Sequence, residues 1–577
     1  MEIPIAVMDC DVLVLGGGGA ACMAAIAAAR QGARVLVVDK GQLGKSGCSP
    51  NAHGGIAAWY KRTQDSYEIH MHDTLLSGGF LNDQELVRIL CQSASRLVPQ
   101  LEQFGCLFNR DPDGSYSVRN FGGHQYPRSV FCGDETGHEM MIGLRREILR
   151  LGIRHLDEVM ATRLVVENGA AAGAVCWDVA NGSFQYVKAP AIVLATGDAA
   201  GIWPSASERQ RGDGIALALE AGAELMDMEF IQYHPTHAWW PFGVRGSVSE
   251  SFRAEGGHLL NSLGERFMSQ YDPAQKELAT RDKVSICIYR EILAGRGAPH
   301  GGIYASVAHL PARLIEERLP VILQKYLNYG IDIRKGPIEI RPQPHYLNGG
   351  IKINGNAQTS VPGLYAAGAA AGGVHGANRL GSNSLTDILV FGEIAGRVSA
   401  DEALRRTKPV PEHREFADQE QRRVAGLMSA EKKSAVSLPA LRRKHIEMMD
   451  RHMGVLRNES GIKTMLKEIE DTRESCLSQI AVRDTSTKYN FELRDALEMF
   501  FRLTIEEIST RGALMRQESR GCHFREDFPG RDDENWLSNI VFYKSDGELR
   551  HELRKVSFPS VQMKQFPEYA QSNSPWH

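Results

Sequence analysis

A chain of 577 residues is too long for one hydrophobic core and predicts roughly two to four domains. Its net charge of -4 offers no basic face for nucleic acid, and its hydrophobic content of 43% is ordinary for a globular protein. No apolar run approaches the roughly 20 residues that cross a bilayer, so no direct membrane span is expected.

The N-terminus, MEIPIAVMDCDVLVLG, carries no basic segment before its apolar run, which leads straight into a glycine turn. It reads as a first strand and not as a signal peptide. The ten cysteines (Cys10, Cys22, Cys48, Cys91, Cys106, Cys132, Cys176, Cys287, Cys476 and Cys522) form no CxxC pair and no ligand spacing. That pattern predicts a reducing, cytoplasmic setting and no metal site in the chain.

Asp11 to Leu15 and Val35 to Val38 are apolar enough to be buried parallel strands, and the alanine-rich stretch between them predicts a helix. Gly16, Gly18 and Ala21 fill the G-x-G-x-x-G/A positions, with Gly19 and Ala20 in the same turn. Small residues there permit a tight turn and close approach of a pyrophosphate. Asp39, followed by Lys40, ends the second strand where a carboxylate accepts hydrogen bonds from a ribose. Strand, turn, helix, strand and terminal acid together predict a dinucleotide-binding unit.

From about residue 66 to 150 the periodicity becomes helical, with Asp83 to Phe104 as one amphipathic helix. Residues 152 to 197 alternate as a small antiparallel sheet that turns at Asn181-Gly182 and ends in the buried strand Ala191 to Ala195. Ala195-Thr196-Gly197 follows this strand, and Asp213 comes after it in Gly212-Asp213-Gly214. No second complete dinucleotide unit appears, so a built-in NAD site is not expected.

The chain is organised around Gly363 to Gly396, where the strand Leu364 to Ala366 leads through small residues to a Gly/Ser/Asn-rich loop. Ser382, Asn383, Ser384 and Leu385 then feed a helix expected to start near Ser384. Such a loop lets backbone N–H groups and a helix N-terminus approach an electron-rich ligand. It contains one isolated cation, Arg379. A Pro- and charge-rich connection, Arg405 to Phe416, precedes long charged helices over 417 to 520, with apolar spacing at Leu497, Phe500, Phe501, Ile505 and Ile508. A hairpin at Ser545-Asp546-Gly547 and a polar tail finish the chain.

The wording HGANRLGSNSL followed by D.LVFG..AG resembles the flavoprotein subunits of succinate dehydrogenase and fumarate reductase, with their relatives L-aspartate oxidase and adenylylsulfate reductase. The resemblance covers nearly the whole chain, most weakly over 57 to 120 and after 540. It implies an α/β protein: a Rossmann-like FAD-binding domain (1–235 and 351–405), an inserted α+β capping domain (236–350), a C-terminal helical domain (417–535) and a C-terminal extension (536–577). The cap is expected to move against the FAD domain and close over substrate.

Further motifs assign roles by resemblance. Ala195-Thr196-Gly197 matches the second flavoprotein signature, where the chain returns beneath the cofactor, and Gly212-Asp213-Gly214 and Asp227 to Tyr233, which includes Gln232, continue the match. Gly44-Lys45-Ser46-Gly47 and His53-Gly54-Gly55 resemble the loop that lies along the flavin. Where covalent relatives carry a histidine five residues before the Gln of AQGG, this chain has Cys48, and His53 replaces the Gln. The resemblance therefore implies FAD held noncovalently, as in L-aspartate oxidase. His234-Pro235-Thr236 matches the HPT motif, in which His and Thr hold one substrate carboxylate, and His345 and Arg379 match the residues that grip the other. Arg281, in RDKVS, matches the proton-delivering arginine, and Glu250 with Arg253 matches the relay that recharges it. His124, in GGH, is a further candidate in the flavin and substrate wall. Asp282 is expected to form only an ion pair in the cap.

Two cationic clamps on either side of a C–C bond suit a four-carbon dicarboxylate, because charged hydrogen bonds both bind and orient it. A guanidinium is a poor acid in water and can donate only to a strongly basic carbanion with a relay behind it. The expected activity is interconversion of a succinate-like acid and its fumarate-like alkene. With no NAD site or cluster in the chain, an iron-sulfur partner subunit is the simplest electron source, and partners could bring the protein to the inner face of a membrane.

Three departures keep other readings open. His237-Ala238 replaces the usual small-apolar pair and precedes Trp239-Trp240-Pro241-Phe242, which fit a bulkier, even aryl-substituted, dicarboxylate or simply a packed core. His234 and Glu250 lie sixteen apart (250 minus 234), an interval closer to L-aspartate oxidase, whereas the RDDENW ending (531–536) favours the respiratory type. Asp198 and Ala369 replace a glycine and an acidic residue of the family pattern. A catalytically dead flavin-binding subunit or an RNA-modifying flavoprotein would be a different class; the retained His234, Arg281, His345 and Arg379 oppose the first and the acidic balance the second.

Overall fold

The computed structural model describes residues 3–60, 64–204, 210–244, 246–428, 437–475 and 479–566. Cys476 and the tail after residue 566 lie outside them. The protein is α/β, and its first layer is a five-stranded parallel sheet in the order Leu364–Ala366, Ala191–Leu194, Val12–Leu15, Val35–Asp39, Arg154–Asp157. The near-continuous Val/Leu/Ile composition of the three central strands follows from burial on both faces: Val12, Leu13, Val14 and Ile192 have no exposed surface. Helix Gly19–Arg30 covers one face and packs lengthwise on helix Asn383–Leu404. Their approach is close because both present small residues. A Cβ on Gly396 would stand 2.0 Å from the Ala24 carbonyl oxygen.

A four-stranded sheet flanks this layer, with Val159–Glu167, Ala170–Asp178 and Ser183–Lys188 antiparallel and Ile5–Asp9 added in parallel. Helix Gln84–Gln103 starts from Asp83, whose carboxylate accepts from the Glu85 and Leu86 amides, so the expected amphipathic helix is present with its N-cap. The helix after the glycine-rich loop begins at Asn383, with Ser382 left-handed at φ +65 before it.

The second unit is built on an antiparallel sheet ordered Ile231–Trp240, Ile338–Leu347, Ile303–Ser306, His258–Leu260. Its long strands pass from one core to the other. Ile231, Tyr233 and Leu347 belong to the main core, whereas Ala238, Ile338 and Ile340 belong to the core of the cap. The expected boundary at 235/236 thus falls inside an unbroken strand, and the residues at the crossing lie between two packed cores.

Helices Arg414–Leu427, Leu438–His452, Glu459–Ser475 and Phe491–Met515 form the helical part, and Leu497, Ile505 and Ile508 of the last are fully buried. The first of them begins at Arg414, inside the expected linker, so the connection is shorter than its composition suggested. The hairpin Ser538–Ser545/Glu548–Lys555 does not stand apart: Ser538–Ser545 pairs with Leu225–Met226 and completes a five-stranded sheet in the body of the molecule. Among the described residues, no helix is long and apolar enough to cross a membrane.

Candidate active site

Strand Ile231–Trp240, the loop to helix Glu250–Ala254, the start of helix Arg281–Glu291, the end of strand Ile338–Leu347 and the loop before Asn383 converge on one buried cluster. Arg281 donates from Nε (2.9 Å) and Nη2 (2.5 Å) to Glu250 Oε2, and from Nη1 (3.0 Å) to Gln232 Oε1. Arg253 donates from Nη2 to Glu250 Oε1 at 2.9 Å and from Nη1 to the Glu277 carbonyl at 2.5 Å. Arg379 Nη2 reaches the same Gln232 Oε1 at 3.2 Å, and its guanidinium carbon lies 4.7 Å from the centre of the Tyr346 ring. The sequence-predicted residues Arg281, Glu250, Arg253 and Arg379 are therefore joined, through a glutamine that their motifs did not reveal.

Gln232 is fully buried, and its Nε2 donates to Asn378 Oδ1 (2.7 Å) and the Arg379 carbonyl (2.8 Å). With its amide so fixed, its single carbonyl oxygen faces both cations. Its sequence signals were its place in the family-like segment Asp227 to Tyr233, which carried no role for it, and its position two residues before His234 on a strand that alternates faces.

His234 and His345 stand with ring centres 5.2 Å apart, and His237 lies 5.3 Å from His234 and 6.2 Å from His345. Burial and the neighbouring arginines hold His234 and His345 far below their ordinary value, and burial with Lys325 brings His237 down to about 3. All three are neutral imidazoles. Ser247 Oγ lies 3.4 Å from both ring nitrogens of His234. The Thr236 hydroxyl, expected to face substrate, instead donates to the Val248 carbonyl at 2.7 Å and ties the strand to the loop leading to Glu250.

The charge count is unbalanced. Arg253, Arg281 and Arg379 meet one carboxylate, Glu250, which leaves an excess of two positive charges in this group. Although burial alone would raise Glu250, Arg281 and Arg253 pull it down to about 2. Burial and the like charge of Arg281 lower Arg379 to about 9. Its Nε is buried without a partner. An arriving carboxylate would relieve both penalties.

The other expected residues divide by geometry. Asp39 Oδ2 is buried and unpartnered, and so is Thr196 Oγ1, both at ends of the central strands. Gly16 has φ +119, and a Cβ there would stand 2.2 Å from the Ala195 carbonyl oxygen. A Cβ on Gly17 would meet Asp39 Oδ2 at 2.4 Å. Gly18 caps the helix that holds Gly19, Ala20 and Ala21, and the Gly19 amide donates to Ser49 Oγ. A buried acid with one unpartnered carboxylate oxygen, an unpartnered hydroxyl and a glycine cradle around a helix N-terminus fit the adenosine and pyrophosphate of FAD.

Several side chains are engaged elsewhere. Lys40 Nζ pairs with Asp213 Oδ1 (3.1 Å) and Glu498 Oε1 (3.3 Å), so the Lys40 and Asp213 side chains serve each other. Lys45 is exposed, and Ser46 Oγ closes its own turn with Gln42. Gly47 and Gly197 take left-handed conformations, and a Cβ on Gly55 would stand 2.8 Å from the Val130 carbonyl oxygen, with Gly54 against Phe121. Asn383 is bonded to His70 and Thr74, Ser382 Oγ accepts from Ser129, and Leu385 is buried beside the half-buried Ser384.

His124 bonds the Gly381 carbonyl through Nε2 and Arg128 through Nδ1, which supports the Arg379 loop from behind. Asp282, expected in an ion pair, accepts instead from Asn378 Nδ2 at 2.9 Å. Asp198 finds its partners in the Ala200 and Leu347 amides, and burial raises it to about 7. Trp239 and Trp240 contact Phe242, His300 and Arg341 at the far end of the strand. Cys48 is half-buried, and no group of His, Cys, Asp or Glu suited to a metal occurs among the described residues.

Residues 11–385 match the model of the FAD binding domain, and residues 442–569 match that of the fumarate reductase flavoprotein C-terminal region. The chain is 41% identical over 539 residues to a fumarate reductase (CoM/CoB) subunit of Methanothermobacter marburgensis, covering 92% of this chain and 97% of that one. It is 36% identical to the succinate dehydrogenase flavoprotein subunit of Coxiella burnetii, covering 98% and 99%. Its structure superposes on the E. coli quinol fumarate reductase FrdA chain with a TM-score of 0.91 at 32% identity, covering 96% and 98%.

Replacing Gln232 by Leu leaves Arg281 and Arg379 facing each other without the shared acceptor, and turnover should fall on the order of tenfold to a hundredfold with flavin content unchanged. Steady-state rates with the visible spectrum of the variant check this. Glu250 lies below its ordinary value of 4.5 in the folded protein, so its ion pairs stabilise fully above that pH and lose their contribution as pH falls toward about 2. Glu250→Gln should cost about 3–5 kcal/mol at neutral pH, and urea titrations should show the gap to wild type narrowing below about pH 4.5.

Proposed function

We propose that this chain, which belongs to the succinate dehydrogenase and fumarate reductase flavoprotein family, is the FAD-carrying subunit of an oxidoreductase acting on the CH–CH bond of a four-carbon dicarboxylate. The observation that carries the substrate class is the excess of two buried positive charges formed by Arg253, Arg281 and Arg379 against Glu250. A dianion neutralises it; a neutral or cationic substrate would leave it standing.

In the reductive direction, FAD when bound supplies the hydride. The residues of the chain do the rest. Arg379 and His345 hold one carboxylate, with Arg379 contributing the unpartnered Nε and His345 an imidazole N–H. His234, with Ser247 against its ring, holds the other. Hydrogen bonds to both ends of the alkene favour charge developing on the carboxylate as the hydride arrives. Arg281 carries the proton for the second carbon, its planar head aligned by Gln232 on one side and Glu250 on the other. Glu250 is bonded to both arginines, so a proton taken from Arg281 is replaced along the line Arg253 to Glu250 to Arg281. Neutral histidines suit this site, since cationic ones would raise an already positive charge.

FAD is held without a covalent bond in this reading, because His53 and Cys48 replace the residues of the covalent relatives. Electrons come from a partner protein, for which an iron-sulfur protein is the simplest candidate; the names of the relatives differ here, CoM/CoB for that of M. marburgensis and quinol for that of E. coli.

Under anaerobic conditions, succinate should bleach the flavin absorbance of the purified protein. Bleaching by L-aspartate and not by succinate would reassign it as an aspartate oxidase. Arg281→Lys should retain yellow FAD and lose at least about a hundredfold in fumarate reduction, because a lysine lacks the fork that both Gln232 and Glu250 engage. Acid precipitation should leave all flavin in the supernatant.

A further inference from the structure

We propose that the substrate pocket has a third polar lobe, formed by His237, Lys325 and His53, that receives a carboxylate borne as a substituent on the four-carbon diacid. The proposal rests on the reading of the site as a dicarboxylate pocket. It begins from His237, only 4% exposed, whose two ring nitrogens are both buried without a hydrogen-bond partner. Leaving both polar atoms of an imidazole unpaired in a dry interior is costly, and an unpaired buried donor marks the place of a missing acceptor.

The backbone fixes where this ring stands. His237 pairs with Arg341 on one side and bridges to Ser247 on the other, so it cannot turn away by a local shift of the strand. Its ring is perpendicular to that of His234 and close to that of His345, the two histidines assigned to the terminal carboxylates. It therefore faces the space between them.

A cation stands behind it. Lys325, half-buried, reaches the Ser247 carbonyl with Nζ at 3.4 Å, and Ser247 is the residue whose hydroxyl touches His234. Lys325 makes no direct ion pair among the described residues, although the buried Asp134 carboxylate stands near it, and its charge acts on both His237 and His53. His53 Nδ1 is directed to the Asp134 carbonyl at 2.6 Å, which leaves Nε2 for the pocket. The two end clamps already match two carboxylates. A third carboxylate would supply the acceptor that His237 lacks and lie beside the Lys325 cation, which otherwise has, among the described residues, only the Asp134 carboxylate near it, without competing for Arg281 or Arg379.

The test is calorimetric titration of the oxidised, FAD-loaded protein with fumarate and with trans-propene-1,2,3-tricarboxylate, neither of which the oxidised protein can oxidise further. Wild type should bind the tricarboxylate about tenfold more tightly than fumarate, and His237→Ala and Lys325→Gln should each bring that ratio to about one. A wild-type preference for fumarate, or a ratio unchanged in both variants, would overturn the lobe and leave the dicarboxylate reading intact. Loss of flavin from His237→Ala with an unchanged ratio in Lys325→Gln would assign His237 to the cofactor and also overturn it. Absence of binding by both acids would overturn the lobe together with the reading on which it rests.

Discussion

Burying three guanidiniums around one carboxylate is the constraint on which the site depends. Arg253, Arg281 and Arg379 are each at least nine-tenths buried, and among the described residues only Glu250 forms ion pairs with them. Such an arrangement is unfavourable by itself, since each desolvated ion costs several kcal/mol unless it is paired. The surrounding fold must hold it in place. Gln232 does so with an amide that is itself pinned by Asn378 and the Arg379 carbonyl, and Asn378 is pinned in turn to Asp282. This chain of hydrogen bonds, two amide side chains ending on the Asp282 carboxylate, keeps two like charges near one oxygen atom.

The architecture explains why the cluster forms where it does. Two strands, Ile231–Trp240 and Ile338–Leu347, are anchored at one end in the main core and at the other in the core of the cap. Gln232, His234 and His237 lie on the first, and His345 on the second. Their side chains consequently meet at the seam between two cores, where a ligand can be enclosed by both. Helix Arg281–Glu291 contributes its first residue to the same seam, and it too packs across it, with Ile286 in the main core and Ile288 in the cap.

The departures from the family pattern take on different meanings in three dimensions. Asp198 is a buried acid bonded to the Leu347 amide, near the end of the strand that carries His345, and so stabilises the scaffold of the site. The tryptophans lie beyond the catalytic segment of their strand, where Trp240 stacks on His300 with ring centres 3.7 Å apart. His237, three residues after His234, is the departure whose ring stands beside those of His234 and His345.

The sequence alone determined what short-range chemistry determines. The apolar runs at 12–15, 35–38 and 191–194 read as buried strands, and Gly16, with φ +119 against the Ala195 carbonyl, accepts no side chain. Asp83 to Phe104 was legible as one helix from its apolar period, and the structure adds the Asp83 cap. The identities of Arg281, Glu250, His234, His345 and Arg379 were legible because charged residues in motif context carry their own signal. Tertiary structure alone decided which partners they take. Gln232 has an ordinary side chain in an ordinary strand, and only the folding of residues 281 and 379 onto it makes it the common acceptor. Thr236, Lys40 and Asn383 were plausible ligand contacts by position, but neighbours distant in sequence satisfy their side chains. Hydrogen-bond partners hundreds of residues apart leave no periodicity to read, and the charge imbalance of the site becomes visible only when all its members are in one place.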